Sequence, residues 1–156
     1  MRLLCIDPGT HCGWAASYDG RTESGVEDFS LTRGESPGMR FIRFRSWLHE
    51  MCASTKPQLI LYEQPHMRGG AATDVLVGMT TRIEEECALR GMEHKAVHSQ
   101  TLKKATAGTG RADKEAMLKA ANVRWADALG RAVKDDNEAD ALSLLAYGLK
   151  QYGGER

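Results

Sequence analysis

The chain has 156 residues, of which 42% are hydrophobic and 27% are charged. These values are those of a soluble globular protein, and the length predicts one domain over residues 1–156 with a sizeable core. The 21 basic and 21 acidic side chains cancel. The balance argues against a uniformly basic surface but allows a basic patch beside an acidic site.

The four cysteines, Cys5, Cys12, Cys52 and Cys87, are widely and irregularly spaced. This spacing argues against a zinc site and predicts reduced thiols, with Cys5 in the core. We find no leader with a charged and then an apolar part, and no apolar run near the ~18 residues that span a membrane. We therefore expect a protein of the cytoplasm, in a bacterial or phage-infected cell, with no membrane partner.

The first predicted strand, residues 2–7, is an apolar run that ends in Asp7 and is closed by Pro8-Gly9. Such a run, bounded by turn residues, is typical of a buried strand. In open α/β sheets, ligands bind at the carboxyl ends of the strands, where Asp7 would lie. A carboxylate at the edge of the core is costly unless a cation or hydrogen-bond donors compensate it.

After the first strand, the sequence predicts four more strands and five helices. Asp19-Gly20 is a hairpin-turn dipeptide, so the chain opens with an antiparallel three-strand meander. The later predicted strands are 58–62, which ends at Glu63, and 95–98. The predicted helices are 38–54, 73–90, a short one that Ser99 could cap, one capped by Asp113, and Asp136 to about Gln151. This order predicts an α/β or α+β sheet with helices packed on it.

Three smaller predictions concern an acidic surface, a helix cap and an irregular segment. Glu84, Glu85 and Glu86 are expected to form a solvated acidic surface. Asp135 is expected to cap the last helix, with Glu138 as its capping-box partner. Residues 122–134 are expected to be irregular.

Acids cluster at three predicted places near the sheet rim: Asp7, Glu63 and the segment 136–140. On the last helix, Asp140 lies three residues after Asn137 and four after Asp136, so the three share one face. Carboxylates brought together repel one another unless a metal neutralises them. Oxygen ligands without a His-Cys pattern suit Mg²⁺ or Mn²⁺, and two such ions can support phosphodiester cleavage.

Four motifs, in order, resemble those of the RuvC-type Holliday junction resolvases. They are Ile6-Asp7-Pro8-Gly9-Thr10, Tyr62-Glu63-Gln64-Pro65, the basic glycine-containing segment from Leu102 to Lys114, and Glu138-Ala139-Asp140-Ala141-Leu142. The resemblance covers residues 3 to about 149 and is closer to phage-like or divergent members. It implies an RNase H-like α/β fold, with a five-stranded mixed sheet (an antiparallel meander plus parallel strands) flanked by helices.

The resemblance also implies a function: a homodimer that cuts four-way DNA junctions with Mg²⁺ or Mn²⁺, by two symmetric nicks. Asp7, Glu63 and Asp140 match the metal-binding, catalytic carboxylates. The family's fourth acid lies three residues before the last one, where this chain has Asn137, and Asp136 is a possible substitute.

The predicted DNA contacts are basic. Lys103, Lys104 and Lys114 match the family's basic positions, and Arg111 lies in the same flexible, donor-rich loop. Met67 and Arg68, in the loop after Glu63, could act at the junction centre. The apolar stripe of helix 73–90 could form the dimer surface or could simply cover the sheet.

Three alternatives remain open from the residues. Asp7-Pro8-Gly9-Thr10 also fits ATP-binding domains of the actin and sugar-kinase type, although those normally have two lobes. A related nuclease that acts on forks, flaps or structured RNA would carry the same acids. Asn137 would also be compatible with a catalytically dead module that binds branched DNA.

Overall fold

The computed structural model describes residues 1–67 and 69–154, so the predicted DNA contact Arg68 lies outside the described residues. The strands are β1 (Leu3–Asp7), β2 (His11–Tyr18), β3 (Arg21–Asp28), β4 (Leu59–Glu63) and β5 (Glu93–Val97). The helices are α1 (Gly38–Thr55), α2 (Ala71–Arg90), α3 (Ser99–Ala107), α4 (Lys114–Leu129) and α5 (Asp136–Tyr152).

The strands form one mixed sheet in the order β3-β2-β1-β4-β5. β1, β2 and β3 make the predicted antiparallel meander, and Asp19 and Gly20 turn between β2 and β3 with positive φ angles of 49° and 75°. β4 runs parallel to β1, and β5 runs parallel to β4. The predicted five-stranded α/β fold is therefore confirmed.

The central strand β1 is buried on both faces, which explains its continuous apolar sequence. Leu3 and Cys5 face a core layer formed with α3, α4 and α5. Leu4 and Ile6 face a second layer formed with α1 and α2. The prediction that Cys5 is a core residue is confirmed, and all four cysteines are buried and unbonded.

Helix α5 packs close to the sheet at Gly148, which has no side chain. A Cβ built on Gly148 would come within 2.5 Å of Leu61 Cδ1 and 3.2 Å of Leu3 Cδ1. Close packing of this kind fixes the helix over β1 and β4 with little freedom to shift. The residues at its other end are thereby placed over the carboxyl ends of the same strands.

The prediction that residues 122–134 are irregular is wrong for most of the segment, since α4 continues to Leu129. Two buried side chains, Ala121 and Trp125, attach this part of the helix to the core. The Asn122 side chain donates to the Val133 carbonyl and accepts from the Val133 N–H, both at 2.8 Å. Tertiary packing thus outweighs the weak helix propensity of Asn, Val and Trp.

Two smaller expectations are also corrected. Glu86 is buried rather than solvated, and its carboxylate pairs with Arg90 and with His49 Nδ1, the latter at 3.2 Å. The cap of α3 is His98, whose Nδ1 accepts from the Gln100 N–H, and not Ser99. None of the helices in the described part of the chain is long and apolar enough to cross a membrane.

Candidate active site

Two acids lie side by side at one edge of the sheet. The parallel register of β1 and β4 pairs Ile6 with Tyr62, so the next residues, Asp7 and Glu63, are neighbours at the carboxyl ends of the two strands. Both strands are apolar up to these residues, and a proline follows each acid within two positions, Pro8 after Asp7 and Pro65 after Glu63. The structure therefore brings together two of the predicted site residues.

The first two turns of α5 bring the third acid to the same place. Burial and the nearby carboxylates of Glu63 and Asp136 raise the pKa of Asp140 to about 7, although Lys103 and Lys114 oppose this rise. Burial, followed by the charges of Glu63, Asp140 and Asp136, raises the pKa of Asp7 well above its ordinary value. Asp7, Glu63 and Asp140 thus form one electrostatically coupled group.

Glu63 differs from the other two acids in having a cation as its main charged neighbour. Burial raises the pKa of Glu63, and Lys103 opposes that rise. The imidazole of His66 is also close, with Nε2 at 3.8 Å from Glu63 Oε1 and 3.1 Å from Ser99 Oγ. Sequence reasoning missed His66, although its place three residues after the acid, in the loop that follows β4, was a signal.

Asp136 is already engaged by a cation. Its Oδ2 lies 2.8 Å from Lys114 Nζ, and this contact lowers the pKa of Asp136. Asp136 is therefore a charged carboxylate at the rim of the group, and it raises the pKa of the more buried acids Asp7 and Asp140. The Lys114–Asp136 pair also joins the start of α4 to the start of α5.

Asn137 is held through its backbone. Its N–H donates to Asp135 Oδ1 at 2.8 Å, which confirms Asp135 as the cap of α5. Its carbonyl lies directly against β2, because a Cβ built on Gly13 would be 1.9 Å from the Asn137 oxygen. Only glycine fits there. A glycine inside a strand often marks such a close approach, and this signal in the sequence was missed.

Glu138 is not the capping-box partner of Asp135, so that prediction is wrong. Its buried carboxylate instead accepts from Ser24 Oγ at 2.7 Å and from Arg131 Nη2 at 2.5 Å. Arg131 also donates to the Ser24 carbonyl at 3.0 Å. These contacts tie the first turn of α5 to β3.

The predicted basic residues divide into two sets. Lys103 and Lys114 line the same cavity as Glu63 and Asp140. Lys104 and Arg111 are exposed on α3 and on the loop before α4, and they are not among the lining residues of that cavity. The structure thus places two of the predicted cations beside the acids and two on the neighbouring surface.

Two cavities meet at Glu63 and His66. The larger, of about 330 Å³, extends from the acids to α3 and α4 and has Leu102, Ala112 and Met117 in its wall. The smaller, of about 50 Å³, is lined by Asp7, Glu63 and His66 together with residues of the adjoining turns. A groove of about 720 Å³ between α3, α4 and α5 has none of these acids in its lining.

Oxygen donors dominate this group, which is the chemistry that hard divalent cations prefer. In residues 1–67 and 69–154, no three side chains of His, Cys, Asp or Glu are arranged so that they could hold a metal ion as they stand. The mutual repulsion of the carboxylates nevertheless fits a cation that would draw them together. The donor set fits such an ion, and the side chains would have to converge on it.

The five-stranded mixed sheet flanked by helices is the fold of solved RuvC structures, so the predicted fold is confirmed. RuvC from Thermus thermophilus superposes with a TM-score of 0.75 at 22% identity, over 96% of both chains. The same protein in complex with a Holliday junction substrate gives 0.74 at 22% identity, over 92% of this chain and 90% of that one.

A third similar structure is the yeast mitochondrial Holliday junction resolvase Ydc2. Its TM-score is 0.65 at 14% identity, over 97% of this chain and 81% of the yeast chain. No protein-family model and no curated protein sequence matches the chain. The likeness therefore lies in the fold.

Proposed function

We propose that this chain is a metal-dependent, structure-selective endodeoxyribonuclease that cuts four-way DNA junctions by two symmetric nicks. The observation that carries the proposal is the placement of Asp7, Glu63 and Asp140, from β1, β4 and α5, at one edge of the sheet, where burial raises the pKa of all three. Burial and like charge cost free energy that a structural role does not explain, and perturbed acids of this kind cluster at functional sites.

The acids Asp7, Glu63 and Asp140 would hold Mg²⁺ or Mn²⁺, with Asp136 or Asn137 as a further ligand. When bound, such an ion activates a water and stabilises the leaving oxygen of a phosphodiester. Asn137 would contribute a carbonyl oxygen without charge. Asp136 would contribute a charge once Lys114 moves towards a phosphate.

The cations would hold the DNA backbone. Lys103 and Lys114 lie beside the acids and would contact the scissile phosphate, while Lys104, Arg111 and Arg68 would contact neighbouring phosphates. Phosphate contacts fix the register of the DNA without reading its sequence. A neutral chain with locally separated charges suits this task, because the phosphates need cations next to an acidic metal site.

Two symmetric nicks need two active sites. A four-way junction has near two-fold symmetry, and a C₂ homodimer of this single nuclease domain would supply both sites. The apolar stripe of helix 73–90 was the predicted dimer surface, but its Met79, Ile83 and Cys87 are fully buried in the core, so this part of the stripe covers the sheet. The opposite, exposed face of α2 would then be the dimer surface. As a DNA-processing enzyme, the protein would act in the cytoplasm, at the nucleoid of a bacterial or phage-infected cell.

The test is a cleavage assay on a labelled four-way junction and on a linear duplex of matched sequence, each with Mg²⁺ or with EDTA. We expect paired nicks in the junction alone, only with Mg²⁺. Asp7→Asn should abolish cutting while junction binding persists, since the phosphate contacts remain. Equal cutting of the linear duplex would refute structure selectivity, and normal cutting by Asp7→Asn would remove Asp7 from the mechanism.

A second candidate function is that of a catalytically dead module that binds branched DNA. Two observations favour it: Asn137 stands where the family pattern has an acid, and Asp136 is engaged by Lys114. Junction binding without Mg²⁺-dependent nicks would support this function. Cutting of forks, flaps or structured RNA in the same assay would instead point to a related nuclease.

A further inference from the structure

Glu138 is a buried acid to which the proposed function gives no task. It is 5% exposed, and the side chains of Ser24 and Arg131 occupy its carboxylate. Oε1 accepts from Ser24 Oγ at 2.7 Å and from Arg131 Nη2 at 2.5 Å, and Oε2 accepts from Arg131 Nη1 at 3.4 Å. Arg131 Nη2 also donates to the Ser24 carbonyl at 3.0 Å. We call Ser24, Arg131 and Glu138 the Glu138 network.

Stability is a weak explanation for the Glu138 network. Taking a carboxylate and a guanidinium out of water costs free energy that their attraction only partly returns, and well-packed apolar residues of similar volume often stabilise a fold as well or better. Hydrogen bonds, however, fix distances and angles, whereas apolar burial has no preferred direction. The Glu138 network is therefore better explained by the position that it imposes on the chain.

The segment that the Glu138 network holds is the first turn of α5, which carries Asp136 and leads to Asp140. Close packing at Gly148 fixes the helix ten residues beyond Glu138, which is about 15 Å along its axis. Over that length, a tilt of about 4° moves the start of the helix by about 1 Å. Gly13 lets the first turn approach β2, but a steric contact does not attract, whereas the network bonds the turn to β3.

We infer that Glu138, held by Ser24 and Arg131, is a positioning residue for the acidic group. Its role is to set where Asp136 and Asp140 stand beside the acids of β1 and β4. This inference rests on the proposed function, since the position matters if the acids must converge on a metal ion. Mg²⁺ demands near-ideal octahedral geometry, and an error of about 1 Å in a reacting arrangement can cost about a hundredfold in rate.

The first experiment measures Mg²⁺ binding through the rise in Tm on adding the metal. Glu138→Gln keeps the shape of the side chain and removes the charge that pairs with Arg131. We expect this variant to need about tenfold more Mg²⁺ than the wild type for half of the full rise, the size of effect that partners behind metal ligands usually have. Glu86→Gln is the matched control, because Glu86 is also 5% exposed and pairs with an arginine, Arg90, on α2. The control should lower the starting Tm and leave the Mg²⁺ requirement unchanged.

A double variant separates position from stability. Arg131→Met combined with Glu138→Leu replaces the ion pair by apolar side chains, so we expect a Tm within a few degrees of the wild type. The Mg²⁺ requirement should stay about tenfold higher, because apolar side chains do not bond the first turn of α5 to Ser24. A wild-type Mg²⁺ requirement in this variant would show that the Glu138 network has no positioning role, and would overturn the inference.

Junction cutting, at a temperature at which every variant is folded, gives a further measurement. We expect Glu138→Gln to lower kcat about tenfold and to leave KM for the junction unchanged, since the basic residues that would hold the phosphates are intact. If the wild type cuts with Mg²⁺ and Glu138→Gln behaves like Glu86→Gln, the inference fails and the nuclease proposal stands. If the wild type shows neither a Mg²⁺-dependent rise in Tm nor junction cutting, the nuclease proposal fails, and the inference with it.

Discussion

Lys114 Nζ lies 2.8 Å from Asp136 Oδ2, so the first residue of α4 and the first residue of α5 are joined at the rim of the acidic group. The Lys114 side chain is 85% exposed, and an exposed ion pair contributes little to stability. The position of this pair matters more, since it keeps an exposed cation beside the acids, where a phosphate would enter.

We therefore predict that Lys114→Ala weakens junction binding with little change in stability. Losing one phosphate contact should make the slope of log K against log salt shallower by about 0.9. The measurement is fluorescence anisotropy of a labelled junction over a salt series. Lys119→Ala, on the same helix but facing the groove that has none of the acids in its lining, is the control. An unchanged slope for Lys114→Ala would exclude the phosphate contact.

A second prediction follows from the raised pKa of Asp140, which is about 7. Between its ordinary value of about 4 and 7, the folded protein binds more protons at this site than the unfolded chain does. Stability without metal must therefore fall as the pH rises through this window. Asp140→Asn should remove about 2 kcal/mol or more of that fall between pH 4.5 and 7.5.

The measurement is urea unfolding in EDTA across this pH range. Asp127→Asn, an acid-to-amide change on α4 away from the acidic group, is the control and should keep the wild-type profile. If the free energy of unfolding depended on pH in the same way for Asp140→Asn and for the wild type, the pKa of Asp140 would be the same in the folded and the unfolded protein.

The contact between Gly13 and the Asn137 carbonyl gives a third prediction. In Gly13→Ala the new methyl would overlap backbone that no rotamer change can clear, so β2 and α5 must separate. We expect a loss of about 1–3 kcal/mol and a large loss of Mg²⁺-dependent cutting. Gly38→Ala, whose new methyl meets only ordinary contacts, is the control. Full activity of Gly13→Ala would mean that the start of α5 tolerates displacement.

A fourth prediction concerns Asn137, which the helical spacing puts on the same face of α5 as Asp136 and Asp140. Asn137→Asp should lower stability in EDTA, because it adds a carboxylate beside Asp136 and Asp140. It should also increase the rise in Tm on adding Mg²⁺, because tighter binding to the folded state stabilises it. Gln151→Glu makes the same change at the far end of α5 and should leave the Mg²⁺ response unaltered. An equal Mg²⁺ response in both variants would place residue 137 outside the metal site.

Part of the candidate site could be predicted because the signals were local. Asp7 and Glu63 each end a short apolar strand, and parallel strands of one sheet bring their carboxyl ends together. The grouping of Asp136 with Asp140 followed from helical spacing alone. The sheet with helices packed on it followed from the order of the elements, and its five-stranded mixed topology followed from the resemblance of the four motifs.

The rest depended on contacts between residues far apart in the chain. Glu138 fits a capping box by its spacing, yet Ser24 and Arg131 offer its carboxylate better partners in the folded structure. The length of α4 was missed because Asn122 and Trp125 are stabilised there by tertiary contacts and not by propensity. Glu86 was expected in solvent because nothing near it in sequence shows that His49 of α1 lies beside it.

The acidic group is assembled from β1, β4 and α5. The start of α5 is held to β3 by the contacts of Ser24 with Arg131 and Glu138. These contacts span more than a hundred residues, and contacts so distant in sequence form late because loop closure must precede them. A chain growing from its N-terminus therefore carries Asp7 and Glu63 long before Asp140 can join them. Whatever chemistry the acids perform, it begins only after α5 has been synthesised and has docked on the sheet.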